Sequence, residues 1–170
     1  MVINKAPPHG LISEDDFPEG SPEGHNPLVI AKEMSKKGIA LYTIGSEPGI
    51  EKVSEFYSAL TFRGCGQYIP VKNSDLLREI IASCCIEEIS LERLMPDMQR
   101  TIDDQIANGI TDKGALIDEA IERLEGESAP SRQCRLNDCK IEGPCERAMG
   151  LSKLDSMEEM RSNFKAKTYL

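Results

Sequence analysis

Residues 26–45 read NPLVIAKEMSKKGIALYTIG, a helix followed directly by a strand. Asn26 is a good N-cap, and Pro27 falls at the first helical position, where its missing N–H costs nothing. Leu28, Ala31 and Met34, with Val29 and Ile30, give an amphipathic helix that Gly38 ends after Lys36-Lys37. Behind it, Ile39–Ile44 is a nearly unbroken apolar run closed by Gly45. Such a run between helices predicts a strand buried on both faces.

The same alternation continues downstream. Ile50, Val53, Phe56, Tyr57 and Leu60 fall at helical spacing, Gly64 and Gly66 break the chain, and residues 67–71 (QYIPV) predict a short strand whose Pro70 marks an end or an edge. Asn73-Ser74 caps a third helix with Leu76, Leu77, Ile80 and Ile81 on its inner face. Upstream, Val2 and Ile3 predict a short first strand that empties into a stiff loop, Lys5-Ala6-Pro7-Pro8-His9-Gly10. Residues 13–27 hold Pro, Gly, Ser and acids with almost nothing to bury, and predict a long surface loop. Strand and helix in alternation imply a parallel sheet with crossover helices. The fold class expected is therefore α/β, with a Rossmann-like parallel sheet of about three strands and flanking helices. Three strands are few for such a sheet. The chain reads as if it starts within a fold, with an open edge on its first strand.

Beyond residue 86 no further strand is expected. Met98, Ile102 and Ile106 mark one helix after Pro96, and Leu116, Ile117, Ala120, Ile121 and Leu124 mark another. Residues 126–150 are polar and predict irregular structure. Ser156 and Glu159 form a capping-box pattern that opens a last short helix through Met157, Met160 and Phe164. The expected organisation is an α/β domain over 1–86, a helical extension over 87–126, and a cysteine-containing segment with a terminal helix over 127–170.

Composition narrows the function. The net charge of −9 argues against a nucleic-acid partner, because neutralising phosphates needs a basic face. Residues 86–128 carry twelve Asp/Glu against four Lys/Arg, the pattern of a solvated helical face. No apolar run is long enough to cross a membrane, and the start lacks a signal-peptide pattern. Six cysteines in that setting read as reduced thiols in the cytoplasm.

No stretch brings its own reaction. There is no GxGxxG, GxxxxGK[ST] or GxSxG motif. His9 and His25 both lie in loops, where a lone histidine is more often solvated than catalytic. Cys84-Cys85 reads as a pair of small core residues. Cys134, Cys139 and Cys145 are the candidate zinc ligands, with a fourth ligand from elsewhere, or a redox group. Their spacing is not that of a CxxC knuckle, and the balance favours free thiols.

Several segments taken together resemble a known family. These are KAPPHG, then DDFPEGSPEGHNPLVIAKEMSKKGIALYTIGSEP, FYSAL, GQYIPV and EEISLERL, across residues 2–95. The succession is similar to the C-terminal half of a von Willebrand factor A domain, in particular the cytosolic A-domains found beside alpha-type protein kinases. The resemblance implies a metal-dependent adhesion site at the carboxyl ends of the strands. Its Asp-x-Ser-x-Ser loop is absent here, and Lys5 stands where the family places its last ligand Asp. A protonated lysine cannot ligate Mg²⁺. The ion is therefore expected only if a missing N-terminal half supplied the other ligands, and no other cofactor is expected. The implied function is non-enzymatic: a protein partner, or self-association, at the open sheet edge, with Lys5, His9, Gly10, Ser46 and Glu47 as the loop candidates. A fragment of an A-domain-containing kinase is the alternative the resemblance leaves open.

Overall fold

The computed structural model describes residues 1–12, 16–126, 135–136, 139–141 and 143–165. It is a mixed α/β fold. Strand β1 (Val2–Asn4), helix α1 (Pro27–Lys36), β2 (Thr43–Ser46), α2 (Ser54–Arg63) and β3 (Tyr68–Val71) follow one another as the sequence predicts. The strands form a three-stranded parallel sheet in the order β1-β2-β3.

Local chemistry sets the element ends. The Asn26 side chain accepts from the N–H groups of Leu28 and Val29, capping α1 above Pro27. At the other end, Gly38 has a φ of 70°. Its N–H bonds the carbonyl of Ser35, and that of Ile39 bonds Met34, a Schellman closure. This closure engages Ile39 and delays the strand. β2 begins at Thr43 rather than at Ile39, which is exposed. Leu41 to Gly45 are nevertheless all buried, as expected of a strand covered on both faces. Val29 and Ile30 of α1 are exposed.

One core cluster holds this part of the molecule together. It contains Leu28, Ala31, Leu41, Ile50, Val53, Phe56, Tyr57 and Leu60, together with Ala148, Leu151, Met160 and Phe164 from the C-terminal segment. That segment forms α5 (Glu146–Leu151) and α6 (Met157–Asn163), so part of the stretch expected to be irregular is helical. Ser156 Oγ accepts from the N–H of Glu159 at 3.1 Å, and Glu159 reaches back to the N–H of Asp155 at 3.3 Å. Arg147 of α5 pairs with Glu55 of α2 at 2.9 Å. Arg63, at the end of α2, donates to the carbonyls of Ser152 at 2.8 Å and Leu154 at 2.5 Å.

The chain divides into two compact units, Met1–Leu77 with Ile141–Leu170, and Arg78–Lys140. The C-terminal segment thus groups with the sheet. The second unit holds most of α3 (Leu77–Ala107), then α4 (Lys113–Gly126) and the short antiparallel strands β4 (Arg135–Leu136) and β5 (Cys139–Lys140). β4 and β5 appear where no strand is expected. α3 also runs straight through Pro96, which the sequence places between two helices. Proline removes one backbone bond from a helix interior; the helical turns on both sides persist here. Ile80 and Cys84 are buried, whereas Ile81 and Cys85, expected inside, are exposed.

Candidate functional site

The carboxyl ends of β1 and β2 gather the loops that the sequence singles out. β1 ends at Asn4, whose Oδ1 accepts from the N–H groups of Lys5 at 2.8 Å and Ala6 at 3.1 Å. Its Nδ2 donates to Tyr57 Oη, and that hydroxyl donates in turn to the carbonyl of Ala6 at 2.8 Å. Tyr57 of α2 therefore clamps the start of the Lys5–Gly10 loop. Burial holds its phenol above the ordinary value.

The other end of that loop is held differently. Gly10 has a φ of 75°, and a Cβ there would lie 2.6 Å from the Cα of Gly20. Only glycine combines that backbone with that approach. The carbonyl of Gly10 accepts from Arg161 Nε at 2.6 Å. His9 sits edge-on to Phe17, with ring centroids 4.7 Å apart.

After β2, the N–H of Glu47 donates to the carbonyl of Val71 at 2.9 Å, and the Glu47–Pro48 peptide is cis. A Cβ on Gly49 would lie 2.5 Å from the carbonyl oxygen of Lys5, so the two loops touch through their backbones. The Glu47 carboxylate lies 4.0 Å from Lys72 Nζ, just past β3. The structure thus brings Lys5, Ser46 and Glu47 to one end of the sheet. His9 and Gly10 are placed instead against the 16–20 loop and α6. Tyr57 and Arg161, which hold the first loop, carried no sequence signal beyond helical spacing.

The donor set does not fit the divalent cation that the A-domain resemblance implies. Asn4 Oδ1 already accepts two backbone N–H groups, Glu47 faces Lys72, and Lys5, the residue that the resemblance aligns with a ligand Asp, carries an ammonium. Among the described residues no group of three or more His, Cys, Asp or Glu is placed to hold a metal. Of the zinc candidates, Cys134 lies outside the described residues, Cys139 is in β5, and Cys145 is a free, exposed thiol before α5. No described helix is long and apolar enough to cross a membrane.

The sheet edge is the other feature of this region. The register aligns Ile3, Ile44 and Ile69 in one row across the three strands. Their exposures are 54%, 1% and 0%, so burial stops abruptly at β1. Val2, on the opposite face of β1, is exposed as well. Val2 donates its N–H to the carbonyl of Tyr42 at 2.8 Å, which turns the N–H and C=O of its neighbour Ile3 away from β2. Among the described residues β1 pairs only with β2.

No protein-family model, curated protein or solved structure matches this chain.

Proposed function

We propose that this chain is a non-enzymatic protein-contact module, built on a Rossmann-like partial A-domain with an incomplete metal site and working in the cytoplasm. The observation that carries the reading is the exposed edge of β1, where Val2 and Ile3 present apolar side chains on both faces. An edge strand of this kind offers backbone donors and acceptors for strand addition, with side-chain contacts supplying selectivity. The C-terminal helices are already committed to the core through Ala148, Leu151, Met160 and Phe164, and they leave Val2 and Ile3 uncovered. The cytoplasmic placement draws on the free, exposed thiols Cys65, Cys85 and Cys145.

The test compares the full chain with its Ile3→Lys variant, by light scattering after size exclusion and by fluorescence of an apolar dye. The reading expects the lysine to reduce dye binding, self-association or both, since a charge on an edge strand blocks pairing. A monomeric chain whose dye signal is unchanged by Ile3→Lys would overturn it.

A further inference from the structure

We infer that α3 carries a two-fold docking surface for a second copy of this chain. The surface belongs to the Arg78–Lys140 unit, whereas β1 belongs to the other, and the inference stands independently of the function proposed above. Arg78, Ile81, Cys85, Ile89 and Glu92 are all exposed on α3. Their spacing is three, four, four and three residues, the same read in either direction. At 3.6 residues per turn the five fall within an arc of about 80°. The centre of the row is turned about 120° around the helix from the side that buries Ile80 and Cys84, and the row ends before Pro96. Ala82 and Ile86 widen the apolar part.

The symmetry of this row selects its occupant. Two copies laid antiparallel and crossing at Cys85 set Ile81 of one against Ile89 of the other, twice. The same register sets Arg78 of each copy against Glu92 of the other, also twice. Opposite charges at equal distances from an apolar centre are what an isologous interface requires. A parallel arrangement would instead oppose like charges. Neither Arg78 nor Glu92 is engaged in an ion pair among the described residues, so both are available for a second copy. The small side chain of Cys85 lets the helices approach at their crossing, as close packing at about 8–10 Å between axes needs.

Sedimentation equilibrium of the full chain in reducing buffer at low ionic strength tests the assignment. The mass is expected to rise with concentration from 18.8 kDa towards that of a dimer. Arg78→Glu and Glu92→Arg should each weaken association about tenfold, since each turns two attractive contacts repulsive. An equimolar mixture of the two variants should regain it, because their heterodimer again opposes unlike charges at both sites. The inference fails if the chain stays monomeric throughout, if either single variant associates like the parent, or if the mixture does not recover. It also fails if Ile3→Lys abolishes the association, which would assign the contact to β1.

Discussion

Gly49 passes so close to Lys5 that a Cβ on the glycine would lie 2.5 Å from the lysine's carbonyl oxygen. The opposing atom is backbone, so no side-chain rotation relieves the clash. Gly49→Ala must push the β1 and β2 loops apart. The expected cost is about 1–3 kcal/mol, the range for overpacking at a closely packed site, read as a lower urea midpoint with an unchanged slope.

Tyr57 joins the same loop to α2 through Asn4 and Ala6. Tyr57→Phe leaves a partly buried amide and carbonyl without their shared hydroxyl, at a cost of about 1–3 kcal/mol. The variant also carries a pH signature. Burial raises the folded phenol's pKa above its ordinary 10.0, so the folded state holds a proton that the unfolded state releases. This contribution is complete below that value and is lost as pH rises above it. Stability should fall on alkaline titration of the parent, and Tyr57→Phe should fall less steeply over the same window.

Acid should act through Asp155. Its carboxyl is held below the ordinary 3.8, first by a hydrogen bond from Arg63 and then by one from Lys32. A depressed folded pKa stabilises above the unfolded value and loses that contribution as pH falls through the folded one. Because Asp155 is well exposed, the effect is small and screened by salt. The thermal midpoint of Asp155→Asn should be less sensitive than the parent's to acidification below about pH 4, and added salt should narrow the difference.

Met160 tests whether the terminal helix belongs to the sheet unit. It is fully buried in the same cluster as Phe56 and Leu28. Met160→Ala is expected to cost about 2–5 kcal/mol, and to lower the unfolding midpoint of the unit containing β1–β3. A variant with the parent's midpoint would show that α6 contributes little to that core.

Local signals made much of this legible in the sequence. The Asn26-Pro27 start, the Gly38 stop and the apolar run before Gly45 mark α1 and the central strand. The row Ile50, Val53, Phe56, Tyr57 and Leu60, read as one inner face, is buried throughout. What sequence left hidden depends on distant partners. The capping-box signal of Ser156 located α6, yet nothing local shows that Met160 packs in the cluster of Leu28. Arg63 reads as a basic residue ending a helix, although its head is taken up by Ser152, Leu154 and Asp155. Pro96 misled because a breaker is a local penalty that a long helix can absorb. Cys85 and Ile81 misled because an apolar residue beside a buried one need not share its face.

The two parts of the sheet unit, residues 1–77 and 141–170, are separated by the whole of the other unit. A nascent chain leaving the ribosome therefore presents β1, β2 and β3 well before the helices that complete their core have been made. Meanwhile Leu28, Phe56 and Tyr57 lack Ala148, Leu151, Met160 and Phe164. Closure of this core must wait until those four residues have been made, while the intervening unit is free to fold first. The interval leaves apolar surface open to chaperones and to neighbouring chains.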